Sequence, residues 1–212
     1  RDIGPEDALA DVVAKVGFAD SQAIVDTVAG LDMDVIEGVV SSLLDARRIE
    51  LYGVGASAFV AADLQQKLHR IGRVSFAWSD THIMLTSAAV LGRGDVAFAI
   101  SHTGATADTV EALREARRAG ATTVALTNFP TAPISEVADL VLTTAARETT
   151  FRSGAMASRI AQLTVIDCLF IGIAQRHLTD SMKALEETRD AVGSHRLETR
   201  HDGRRKARET GK

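Results

Sequence analysis

The run Asp95-Val-Ala-Phe-Ala-Ile100 constrains the fold of this chain more than any other stretch. It is almost continuously apolar, with no alternation, which is the mark of a strand buried on both faces. It stops at Ser101-His-Thr-Gly104, and helical spacing takes over at once. Val110, Leu113 and Ala116 then fall on one side, and Glu111, Arg114, Glu115 and Arg118 on the other. The same succession recurs along the chain. Arg48–Gly53 is a short strand running into glycines, and Val60, Leu64, Leu68 and Ile71 mark a helix that stops at Gly72. Further strands are expected at Arg73–Trp78, Thr122–Thr127 and Asp139–Thr143, with a helix over 80–91. Strand–helix alternation of this kind specifies a parallel sheet with helices on both faces.

Helices flank this body. Residues 5–46 read as helical, with Ala8, Val12 and Val16 at spacing four and Asp32 as an N-cap before Val35, Ile36, Val39, Val40, Leu43 and Leu44. After a loop at 144–152, a long helix is expected from about Ser153 to His177. Its stripe is Ile160, Leu163, Ile166, Phe170 and Ile173, but Val165, Leu169 and Ile171 make other faces apolar too. Burial on several sides follows, with a second subunit covering part of the helix. Cys168 within it reads as a small core residue. Thr179 or Asp180 would cap a last helix ending at Gly193. The expected divisions are a helical linker over 1–46, a sheet domain over 47–178, a helix over 179–195 and a basic, disordered tail over 196–212.

Charge and composition narrow the functions. The net charge of −4 divides into −8 over residues 1–46, zero over 47–195 and +4 over 196–212. A neutral body is not a nucleic-acid surface. The single cysteine excludes an internal disulfide framework and fits a reducing compartment. No apolar run reaches the roughly 18 residues of a membrane span, because Gln162 and Asp167 interrupt the longest, and no signal peptide is visible. A cytoplasmic protein without membrane contact is expected. The chain begins at Arg1 without a methionine, which reads as a fragment or a processed product.

Ligands of open parallel sheets bind beyond the carboxyl ends of the strands, and two strand ends carry unusual loops. In Gly53-Val-Gly55-Ala-Ser57 the glycines allow close backbone approach, the next helix offers free amides, and Ser57 adds a hydroxyl. Ser101-His102-Thr103-Gly104-Ala105-Thr106 brings three hydroxyls and one glycine. Each loop alone makes an ordinary turn; on two strands of one sheet they favour an anion site. Gly53-x-Gly55-x-x-Ala58 with Asp80 also fits a permissive dinucleotide fingerprint. Asp80 lies further along than that pattern places its acid, however, and Ser101, Thr103 and Thr106 would have no task. The histidines show no metal-ligand spacing, and neither a metal nor a cofactor is expected.

These loops, together with Ser79-Asp-Thr-His82 and Arg147-Glu-Thr-Thr-Phe-Arg-Ser-Gly-Ala-Met-Ala-Ser-Arg-Ile-Ala-Gln-Leu-Thr-Val-Ile-Asp167, resemble the SIS (sugar isomerase) domain. They resemble in particular the sensor half of RpiR-type bacterial transcription regulators. The resemblance covers about residues 20–178. It implies an αβα sandwich with a five-stranded parallel sheet, a sugar phosphate effector and a homo-oligomer. It also implies that Gly55, Ser57, Ser101, His102, Thr103, Gly104 and Thr106 line the phosphate side, with Ser57, Ser101, Thr103 and Thr106 holding phosphate, and that Glu148 faces the sugar. The family often has Ser and Glu where this chain has Thr103 and Ala105, so a carboxylate is missing from the loop. DNA contact would require a helix-turn-helix domain, which these residues do not contain. Three readings stay open. The preferred one is a phosphosugar sensor without catalytic residues. The second is a sugar-phosphate isomerase with Glu148 as base and His102 or His82 assisting. The third is a nucleotide-binding domain.

Overall fold

The computed structural model describes residues 3–148 and 156–193. Two helices lead, α1 (Leu9–Gly30) and α2 (Met33–Asp45). The Asp32 carboxylate caps α2, accepting from the Asp34 and Val35 amides at 2.9 and 3.3 Å. The alternation then runs β1 (Arg48–Gly53), α3 (Ala56–Arg70), β2 (Ser75–Trp78), α4 (Thr81–Ala89), β3 (Asp95–Ile100) and α5 (Ala107–Ala119). It continues with β4 (Thr122–Thr127), the single turn α6 (Pro133–Glu136), β5 (Leu140–Thr143), α7 (Met156–Arg176) and α8 (Leu178–Gly193). Gly120 closes α5 at φ 95°, a left-handed residue that only glycine adopts without strain.

All four strand pairings are parallel, in the order β2-β1-β3-β4-β5. The fold is therefore the expected αβα sandwich on a five-stranded sheet. Strand residues alternate between two cores. Ile49, Leu51, Val96, Phe98, Ile100, Val124 and Leu126 meet α2, α3 and α7 on one face. Tyr52, Ala97, Ala99 and Ala125 meet α4, α5 and α6 on the other. The small residues on the second face let α5 sit close to the sheet. Arg47 clamps the amino ends of β1 and β3 together by a two-point contact to Asp95, at 3.0 and 2.9 Å.

Several expectations need correction. β2 starts two residues late, because the Arg73 amide still bonds the Leu68 carbonyl (2.9 Å) at the end of α3. The buried face of α7 is Ala157, Ser158, Ala161, Gln162, Val165, Ile166, Leu169 and Ile173, so the expected stripe is rotated; Ile160, Leu163 and Phe170 are only half-buried. Cys168 is exposed, not core. It shares the outer side with Asp167, which pairs with Lys67 at 2.5 Å. Among the described residues α7 is the one helix long and apolar enough to cross a membrane, Gln162 and Asp167 notwithstanding. Here it packs on α1, α2 and α3 as a core helix. Neither Thr179 nor Asp180 caps α8, which already begins at Leu178. The first turn expected from Ser153 and the tail over 196–212 lie outside the described residues.

Candidate functional site

The strand order places the two loops. β2 lies on one side of β1 and β3 on the other, so the chain reverses its direction across the sheet between β1 and β3. The segments leaving these adjacent strands diverge, α3 to one face and α5 to the opposite face. A crevice at the carboxyl edge results, the usual ligand position in such sheets.

The first wall is the β1–α3 turn. A Cβ on Gly53 would stand 2.7 Å from the Ser57 carbonyl oxygen, so only glycine lets the helix start this close to the strand. Gly55 turns the chain at φ 60°. No side chain caps α3, and its first turn carries no acid. Ala58 donates to the Gly55 carbonyl at 3.1 Å, which leaves the Ala56 and Ser57 amides. Ser57 is nearly buried, and its hydroxyl makes no hydrogen bond among the described residues.

The second wall is the β3–α5 loop. Ser101 is 3% exposed. Its Oγ accepts from the Gly104 amide at 3.1 Å and shares a hydrogen bond with Thr106 Oγ1 at 3.1 Å. Thr106 is the N-cap residue of α5, yet its side chain caps nothing in the helix because it turns to Ser101. The exposed Thr103 accepts from the Ala105 amide at 3.3 Å and keeps its proton for a ligand. The Ser101–Thr106 contact consumes one of that pair's two hydroxyl protons, so the pair offers one outward donor rather than two. Asp108, in the first turn of α5, opposes an anion at this end. By contrast Asp80 caps α4, accepting from the Ile83 amide at 3.0 Å. That carboxylate is committed to the helix rather than free for a ribose. Both helices that open onto the crevice, α3 and α5, thus begin without a side-chain cap.

The floor joins β4, β5 and α7. The His102 carbonyl accepts from the Asn128 amide (3.0 Å) and the Thr127 hydroxyl (3.2 Å), and its ring meets Phe129 edge-on at 5.7 Å. Burial holds the imidazole below the usual histidine range, and the Glu148 carboxylate opposes that shift. His102 Nδ1 is buried with no partner among the described residues. Glu148 Oε1 accepts from the Ser158 amide at 2.8 Å, while its Oε2 is buried and unpartnered. His82 stands exposed on α4, away from this group.

The sequence reading missed Asn128, Thr27 and Ser158. Asn128 Oδ1 accepts from the Thr144 hydroxyl (3.0 Å) and the Ala146 amide (2.8 Å). The Thr27 hydroxyl, on α1, accepts from the Ala145 amide at 3.0 Å. These bonds pin the segment that delivers Glu148. The available signal was the polar pair Thr127-Asn128 directly after the apolar run Val124-Ala-Leu126.

Residues 42–172 match the profile of the SIS domain. The chain belongs to the SIS domain family. An HTH-type transcriptional regulator of Caldanaerobacter subterraneus is 44% identical to it over 195 residues, 92% of this chain and 69% of that protein. The Vibrio vulnificus NanR protein, solved in complex with ManNAc-6P, superposes with a TM-score of 0.84 at 27% identity, over 90% of this chain and 72% of that one. The sugar isomerase domain of an RpiR transcription factor from Sphaerobacter thermophilus superposes at 0.78 with 25% identity, over 85% and 99%. This SIS domain is accordingly of the regulator type. Its crevice combines open amides, hydroxyl donors, a carboxylate and an imidazole, groups able to bind an anionic, hydroxylated molecule.

Proposed function

We propose that this SIS domain is the effector-binding unit of a transcriptional regulator and that its effector is a sugar phosphate. The observation that carries this reading is the pair of uncapped helices, α3 and α5, leaving adjacent strands with Ser57, Ser101, Thr103 and Thr106 beside them. Amide and hydroxyl donors gain most from a doubly charged phosphate, and helix dipoles add to the attraction. The ManNAc-6P complex of NanR supports the ligand class. On this reading the protein is a homo-oligomer acting in the cytoplasm, and DNA is contacted by a helix-turn-helix segment, the kind of segment the relatives are named for, and not by this neutral body. Residues 47–178 form the effector unit, preceded by the helices of 1–46 and followed by 179–195.

One feature favours an isomerase instead: the Glu148 carboxylate acts on the His102 imidazole, the two residue types an acid–base pair would use. Two measurements test these readings. Calorimetry is expected to detect binding of one or more hexose, amino-sugar or pentose phosphates and none of the matching free sugars. NMR in deuterated water is expected to show no exchange of the proton beside the sugar carbonyl. Such exchange, abolished by Glu148→Gln, would establish the enzyme.

A further inference from the structure

Buried polar atoms nearly always have hydrogen-bond partners, and an exception calls for a reason. Among the described residues six buried side-chain atoms lack one. Four of the six, His102 Nδ1, Glu148 Oε2, Ser158 Oγ and Gln162 Nε2, can be followed from the β3–α5 loop through Glu148 to one face of α7. Glu148 is bonded to the Ser158 amide at 2.8 Å and is electrostatically coupled to His102. Ser158 and Gln162 are four residues apart on α7, so they share one face of that helix. Ser158 is 0% exposed and Gln162 1%.

Their place in the fold is at the crevice. α7 follows β5, so its first turns stand at the carboxyl edge of the sheet, the edge where α3 and α5 begin. α7 also packs directly against α3. The phosphate-side groups are the hydroxyls and amides of the β1–α3 and β3–α5 loops. His102 belongs to the second of these loops; the other three unpartnered groups come from the segment after β5 and from α7, and they have a different character. They are an acceptor (Glu148 Oε2), a donor (Gln162 Nε2) and a hydroxyl able to do either (Ser158). An anion matches no such mixture. A chain of neighbouring hydroxyls does, since each hydroxyl both donates and accepts.

We propose that Ser158 and Gln162 are specificity-determining residues that read the hydroxyls of the effector's sugar, beyond Glu148 and away from the phosphate. This rests on the sugar phosphate reading above. Glu148 and His102 are half-buried, whereas Ser158 and Gln162 are buried. A site whose buried groups require partners rejects an epimer that leaves them unpaired far more strongly than a purely apolar pocket would.

The test measures dissociation constants of the wild-type chain and of Ser158→Ala and Gln162→Met for inorganic phosphate, glycerol 3-phosphate and a panel of epimeric hexose 6-phosphates. The wild type is expected to separate the epimers by tenfold or more. Each variant is expected to compress that ratio roughly tenfold while changing the affinity for inorganic phosphate less than twofold. Ser158→Thr, which keeps the hydroxyl, is expected to retain most of the discrimination. Variants that melt lower but keep the wild-type epimer ratio would show a packing role only and overturn the inference. A wild type that binds all epimers alike would overturn it too. A wild type that binds free sugars as well as their phosphates would instead overturn the sugar phosphate reading. If Gln162→Met does not fold, Gln162→Asn, which keeps the amide but withdraws it by one methylene, is measured against the same criterion.

Discussion

Gly104 and Ala132 approach so closely that a Cβ on Gly104 would lie 2.4 Å from the Ala132 Cβ, inside any possible contact. The same Cβ would stand 2.8 Å from Thr127 Oγ1, and Gly104 is at φ 63°. Gly104→Ala therefore combines left-handed strain of about 1–2 kcal/mol with overpacking of about 1–3 kcal/mol. A stability loss of about 2–5 kcal/mol is expected in urea denaturation. Gly55→Ala, at φ 60° but with nothing within 4 Å, is expected to lose less. Equal losses would contradict the tight-loop account.

Ser101 and Thr106 share one hydrogen bond, so their contributions to binding are coupled. Either alanine substitution is expected to weaken sugar phosphate binding roughly ten- to a hundred-fold, the worth of a hydrogen bond to a charged group (about 1.5–3 kcal/mol). The double variant is expected to cost less than the sum of the two, by about 0.5–3 kcal/mol, because the pair presents a single outward donor. Strict additivity in calorimetry would mean that each hydroxyl reaches the phosphate independently.

His102 makes stability depend on pH. Burial depresses its folded-state pKa, so the unfolded chain binds a proton at about pH 6.5 and the folded chain only at lower pH. Stability from this group rises with pH across that window and is lost as pH falls through about 6.5. His102→Asn is expected to flatten the dependence: between pH 7 and pH 5 the urea midpoint of the variant falls less than that of the wild type. Parallel profiles would mean that His102 titrates normally.

Much of the fold was legible because the residue pattern and the tertiary environment agree. Asp95–Ile100 reads as a doubly buried strand and is buried at all six positions. Asp32 reads as a cap and is one. The two glycine loops sat at strand ends, so parallel topology alone brought them to one edge. α7 was legible as a helix but not in its rotation. A helix apolar on several faces carries no phase, and only its packing against α1, α2 and α3 decides that Gln162 is buried and Cys168 is not. The hydroxyl roles were illegible for a related reason. Composition counts Ser101 and Thr106 as two donors, and only the geometry shows that they bond to each other. Asn128, Thr27 and Ser158 were missed because each acts across more than ten residues of chain or from another element, a relation that no local spacing encodes.

On the proposed reading the anion sits between the first turns of α3 and α5. The most direct measurement is a titration of the ¹⁵N-labelled chain with a hexose 6-phosphate that calorimetry shows to bind, followed by amide chemical shifts. The largest, saturable shifts are expected at Ala56, Ser57, Thr103, Gly104, Ala105 and Ala107, with little change on the outer faces of α4 and α5. Shifts centred instead on the groove between α4 and α5 lined by Leu85, Thr86, Ala89, Glu111, Arg114, Glu115 and Arg118 would contradict it.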